Sequence, residues 1–152
     1  MLRATKVRTY PSPEQTEFLI AQFGAVRFSY NQALHIQSHM HRHYGVTLNP
    51  KKYLKPLLAV AKKSRKYHWL KQYDSIALQQ SVRNLHMAFS NSFNPTLKAR
   101  YAKFKSSTLS NHCVGVKVFE EAIKLPKIEP IQANIHRDIN VALNIQHQGF
   151  LN

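Results

Sequence analysis

Acidic residues are scarce in this chain: seven Asp and Glu stand against 22 Lys and Arg in 152 residues, for a net charge of +15. So few carboxylates leave little material for a metal centre built from several converging acids. Cysteine is scarcer still, with Cys113 alone. That excludes an intrachain disulfide framework and a cysteine-based zinc site, and it fits a reducing, cytoplasmic setting. No apolar run approaches the ~20 residues of a membrane span. The opening stretch, MLRATKVRTYPSPEQ, lacks the apolar core of a signal peptide. The expected setting is the cytoplasm, with no membrane partner.

Positive charge is abundant and unevenly placed. A pI near 10.2 points to a polyanionic partner. Residues 1–107 hold 18 Lys and Arg against three acids, Glu14, Glu17 and Asp74, whereas residues 108–152 hold four of each sign. That polyanion, by charge alone DNA, RNA or an anionic membrane, should therefore be bound by the first two thirds. The length is about one domain at ~100–200 residues per domain, and 43% hydrophobic content can fill a modest core.

The element pattern predicts an α+β fold. Residues 2–10, LRATKVRTY, alternate as a strand and stop at Pro11. Ser12, Pro13 and Gln15 form a helix start with an S-x-x-Q capping box. Leu19, Phe23, Val26, Tyr30 and Ala33/Leu34 then recur at helical spacing, with an interruption or bend expected near Gly24 and an end at Gly45. A second helix is expected over about 50–62, around Leu54, Leu57, Leu58 and Ala61, despite Pro56. A third should start at Asp74 or Ser75, carry Leu78, Val82, Leu85, Phe89 and Phe93, and stop at Asn94-Pro95. KARYAKFKSS reads as basic and irregular. Residues 114–127 read as a β-hairpin turning at Glu120-Glu121, and a short helix is expected over about 137–147. The expected architecture is a small antiparallel β-unit, strand 2–10 with the 114–127 hairpin, into which a helical bundle of about 13–94 is inserted.

Several clusters invite chemistry. His35 and His39 lie four apart on a helix, a spacing that zinc sites use. No acid or cysteine beside them, His41 or His43 completes a ligand set, so they read as a polar helix face and no metal is expected. Cys113 lacks an oriented base and reads as an ordinary thiol. The segment Lys62-Lys63-Ser64-Arg65-Lys66-Tyr67-His68-Trp69 interleaves cations with aromatics. Lys62, Lys63, Arg65 and Lys66 suit phosphates, and Tyr67 or Trp69 could stack on a base, although Trp69 is favoured as packing. Lys98, Arg100, Lys103 and Lys105 are candidates for phosphate contacts in the second basic run. Arg27 and Arg83 lie off the apolar stripes and are equally suited to phosphate or solvent.

In order along the chain, YPSPEQ after a basic strand, FGAVRFSYNQAL, WLKQYDSIALQQSVRNLHMAF, YAKFKSS, IKLPKI and the terminal RDINVALNI resemble the TnpB (OrfB) proteins of bacterial insertion sequences. Residues 1–128 follow that family's N-terminal part, and residues 136–149 resemble its last motif. The resemblance implies a wedge-like β-region with a helical recognition lobe that holds guide RNA and target DNA. It also implies a RuvC-like nuclease with three catalytic acids and a four-cysteine zinc ribbon. Asp138 matches the third acid.

The departure from the family is large. Six residues separate Ile128 from Ile135, where the family has most of its nuclease domain. The segments bearing the first two acids and the zinc ribbon have no counterpart, so Asp138 reads as a remnant joined to the binding half by an internal deletion. Residues 1–128 are expected to form the nucleic-acid-binding region, and 129–152 a remnant of the RuvC-like motif. The expected protein binds guide-like RNA, DNA or both, is not an enzyme and needs no cofactor. The alternatives are a non-functional remnant of a mobile element and, least favoured, an active transposase or nuclease.

Overall fold

The run Arg8-Thr9-Tyr10 makes only three residues of strand, β1 (Arg8–Tyr10), before Pro11 ends it. In the computed structural model residues 7–106 and 113–134 are described. The chain divides into two compact units: residues 1–18 with 115–152, and residues 19–114. The expected strand residues 2–6, the helix over 137–147 and Asp138 lie outside the described residues.

The first unit is a four-stranded antiparallel sheet. Its strands are β1, β2 (Lys117–Val118), β3 (Ala122–Lys124) and β4 (Ile131–Asn134), in the order β1-β4-β3-β2. The hairpin turns at Glu120-Glu121 as the sequence predicts, closed by Phe119 N–H donating to the Ala122 carbonyl at 2.8 Å. The first strand and the hairpin share one antiparallel sheet, as expected, and an unassigned fourth strand joins them: β4 lies between β1 and the hairpin, with Thr9 opposite Ala133 and Ile123 opposite Ile131. This strand is legible only in its alternation. Ile131 and Ala133 are buried, while Gln132 and Asn134 face solvent.

Helix α1 (Pro13–Tyr44) begins in this unit. The capping box forms in both directions: Gln15 N–H donates to Ser12 Oγ at 3.3 Å, and Ser12 N–H donates to Gln15 Oε1 at 3.0 Å. The Gln15 amide also donates to the Pro130 carbonyl at 3.2 Å, tying the helix start to the approach of β4.

The second unit is helical. Helix α1 runs through Gly24 without a break, contrary to the expected interruption. Glycine weakens a helix by entropy, yet a 32-residue helix packed along one side tolerates the cost of ~1 kcal/mol. A π-helical turn (Pro50–Leu54) leads into α2 (Lys55–Ala61). Pro56 falls in the first turn of α2, where a missing N–H costs nothing. A 3-10 turn (His68–Gln72) precedes α3 (Ser75–Asn91).

Helix α3 buries Leu78, Val82, Leu85 and Phe89, the expected stripe, against Tyr30, Ala33 and Leu34 of α1 and Ala25 and Val26 one turn earlier. Four expected core positions lie elsewhere. Leu19 and Phe23 are only half-buried, because the inward face of α1 is rotated toward Gln22, Ser29 and Gln37. Phe93 follows the helix end and is 49% exposed, and Leu57 is 46% exposed.

The buried polar groups explain this rotation. The Gln22 side-chain carbonyl accepts from Asp74 N–H at 3.0 Å, and Gln37 Oε1 accepts from Leu48 N–H at 3.1 Å. Asp74 in turn caps α3, accepting from Ile76 N–H at 3.1 Å and Ala77 N–H at 3.2 Å. Helix α1 thus satisfies backbone donors that would otherwise be stranded in the core.

Candidate nucleic-acid interface

Both basic segments of the sequence are held by one stretch of α1, Arg27 to Asn31. Residues 27, 30 and 31 share a helix face by the three- and four-residue rule, and Phe28 projects from the adjoining face. Phe28 receives the first segment. Its ring lies 5.5 Å from Tyr67 and 5.2 Å, edge-on, from Trp69. The favoured packing role of Trp69 agrees with this contact and with a second one to Tyr73 at 6.0 Å, though the indole keeps 36% of its surface in solvent.

Above this aromatic seat, Lys63, Arg65 and Lys66 are exposed, and the Lys66 ammonium lies 5.4 Å from the Tyr67 ring centre. Lys62 points back to the fold and donates to Ser75 Oγ at 2.7 Å. Ser64 turns the chain, accepting from Tyr67 N–H and donating to the Ala61 carbonyl.

Arg27, Tyr30 and Asn31 receive the second segment. Asn31 makes a reciprocal pair with the Lys105 backbone, donating to its carbonyl at 3.0 Å and accepting from its N–H at 2.9 Å. Arg27 donates to the Ser106 carbonyl at 2.7 Å. The Lys105 ammonium sits 4.5 Å from the Tyr30 ring centre, and burial pushes the Tyr30 phenol up, keeping it neutral beneath that charge. Further along α1, Ser38 Oγ accepts from the Tyr101 hydroxyl at 3.3 Å. Residues 101–106 therefore run antiparallel to α1, in neither helix nor strand, as the irregular reading expects.

Lys98, Arg100 and Lys103 are exposed on this segment, and Arg83 is exposed on α3. Arg27 spends at least one of its five donors holding the segment. Asn31 was not among the candidates, although its place one turn after Arg27 was a usable signal.

The histidines form ring contacts. His39 lies against His43 at 4.5 Å with the rings tilted by 43°, and His41 packs on Phe89 and Phe93 at 5.5 and 4.7 Å. Among the described residues no three His, Cys, Asp or Glu side chains converge as a metal site. Cys113 is half-buried, and burial first, then the charge of Asp74, pushes its thiol up, away from the reactive thiolate. Of the described acids, Glu120, Glu121 and Glu129 are exposed, and Glu129 pairs with Lys124 at 3.9 Å.

Residues 1–46 match the family model of an OrfB-type helix-turn-helix domain. The "Virulence protein VsdF" of Salmonella dublin is 64% identical over 111 residues, covering 69% of this chain and 93% of VsdF. The "Putative RNA-guided DNA endonuclease" of Streptomyces pristinaespiralis is 35% identical over 106 residues, covering 68% of this chain and 25% of that protein. The chain belongs to the OrfB/TnpB family of insertion-sequence proteins. It is accordingly a transposase-like, transposon-associated nucleic-acid-binding protein. It spans a quarter of the Streptomyces relative and nearly all of VsdF.

In this OrfB/TnpB chain the described residues of the segment matched by the helix-turn-helix model, 7–46, carry a single helix, α1, from Pro13 through Tyr44. The docking geometry of two short helices at a turn therefore does not describe it. No helix among the described residues is long and apolar enough to cross a membrane.

Proposed function

We propose that this chain binds nucleic acid, guide-like RNA, DNA or both, without cutting it, as an internally shortened product of a transposon gene acting in the cytoplasm. One observation carries the reading. The helical unit, residues 19–114, holds 15 Lys and Arg and a single acid, Asp74, which is buried as a helix cap. Its surface charge has no carboxylate of its own to oppose it. Residues 1–128 are the binding region, with Lys63, Arg65, Lys66, Arg83, Lys98, Arg100 and Lys103 on phosphates, while Lys62 and Lys105, which also contact Ser75 and the Tyr30 ring, offer their remaining donors. Arg27 holds the second basic segment and offers its remaining donors. Residues 129–152 derive from the C-terminal nuclease motif.

Cleavage of a phosphodiester by paired Mg²⁺ ions needs several carboxylates around ions roughly 4 Å apart. Asp138 supplies one, and the two partners that the family resemblance implies have no counterpart between Ile128 and Ile135. The purified chain should show no metal-dependent DNA cleavage, with or without co-purified RNA. Cleavage that vanishes in Asp138→Ala would overturn this. Sequencing of co-purified RNA tests the guide-like part: one RNA of defined sequence is expected. Equal affinity for the element's own transcript and an unrelated RNA of the same length would instead favour a basic remnant without a dedicated partner.

A further inference from the structure

Phe104 is the anomaly of the second basic segment. Burying a Phe side chain stabilises a fold by ~1.5–3 kcal/mol, yet this ring is 62% exposed and has no ring partner among the described residues. Its neighbours are treated differently. Ala102 is buried in the core, and Tyr101 lies edge-on to Phe89 at 5.3 Å and Phe93 at 6.1 Å. Nor is the exposure that of a loose loop. The backbone on its C-terminal side is fixed by the Asn31–Lys105 pair and by Arg27 on Ser106, and on its N-terminal side by Ala102 and the Tyr101–Ser38 bond. The ring is therefore presented to solvent by a backbone held at both ends, with Lys103 exposed beside it and Lys105 turned back over Tyr30.

We infer that Phe104 is a stacking site for an unpaired base of single-stranded nucleic acid. Lys103 meets a flanking phosphate, and Arg27 and Asn31 are the positioning residues. A base offers its face to such a ring only when it is unstacked from its neighbours, so the site discriminates against duplex. Stacking needs no particular base, because every base has a π-face. The inference rests on the nucleic-acid-binding reading and names the strand form that the second segment takes.

The test uses the full chain and fluorescence anisotropy with four labelled probes: single-stranded DNA, RNA of the same sequence, the corresponding DNA duplex, and a strand of equal length with abasic sites. Phe104→Leu keeps an apolar side chain on the same backbone but removes the π-face. It should weaken single-strand binding by roughly fivefold to 150-fold, leave abasic and duplex binding unchanged, and leave the salt dependence unchanged, since no counterion is involved. Phe104→Trp should restore or tighten binding. Lys103→Ala should instead lower the slope of log K against log salt by ~0.7.

Loss in the DNA arm or the RNA arm supports the site and identifies its strand. Equal binding by wild type and Phe104→Leu in both arms, or an equal loss on the abasic strand, overturns it. Wild-type binding that is steeply salt-dependent but indifferent to Phe104 sinks this inference alone. No binding by the wild type sinks the functional reading with it.

Discussion

The two units of this chain treat charge in opposite ways. The sheet unit, residues 1–18 and 115–152, carries seven Lys and Arg against six acids, and one of its cations, Lys124, pairs with Glu129. The helical unit carries 15 against one, and uses its one acid as a buried cap. A structural surface tends toward mixed signs, because like charges repel and weaken the compact state. The helical unit accepts that repulsion on exposed loops seated on aromatic rings. Charge held there is suited to an external polyanion.

The contrast can be broken first through stability. Phe89 is fully buried between α1 and α3, and Phe89→Ala should cost ~3–5 kcal/mol. Ile131→Ala, at the equivalent depth of the sheet, should cost ~2–5 kcal/mol. Calorimetry of both variants shows whether each substitution lowers a separate transition. A single shared transition in both would show that the two units unfold together.

Asp74→Ala removes the cap of α3 and should destabilise by ~0.5–2 kcal/mol in chemical denaturation. A smaller gain is expected from Gly24→Ala. Helix α1 is continuous there and a new Cβ would meet nothing within 4 Å, so the melting temperature should rise by the equivalent of ~0.5–1 kcal/mol. A fall would mean that the glycine accommodates a bend or a contact. Smaller still, Lys117 faces Lys124 directly across the hairpin. Lys117→Glu should stabilise the sheet by ~0.2–1 kcal/mol by replacing a like-charge pair with an opposite one.

Local signals carried far in this sequence. The capping box, the Asp74 cap, the α3 stripe from Leu78 to Phe89 and the hairpin tip each depend on residues within a few positions of one another, and each forms as expected; Phe93, past the helix end, does not join the stripe. What was not legible depends on contacts distant in sequence. Gln22 and Gln37 look like surface residues until the backbone donors they satisfy, at Asp74 and Leu48, arrive from elsewhere in the chain. Strand β4 was hidden because four residues after Pro130 carry too short an alternation to stand out. At the candidate interface the cationic runs were visible in composition. Their common seat on Arg27–Asn31 was not, because Asn31 and Lys105 are 74 residues apart.

The central claim is that nucleic-acid binding belongs to the helical unit's charge. It is tested by the salt dependence of binding to single-stranded DNA for three forms of the full chain: wild type, a variant with Lys62, Lys63, Arg65 and Lys66 replaced by Ala, and one with Lys117, Lys124 and Lys127 replaced by Ala. With roughly six to eight phosphate contacts, wild-type affinity should fall about a thousandfold between about 50 and 200 mM salt. The fourfold variant should lose up to ~0.7 of slope for each contact removed, whereas the hairpin variant should keep nearly the wild-type slope. Equal slopes in the wild type and the fourfold variant, with a flattened slope in the hairpin variant, would contradict the account.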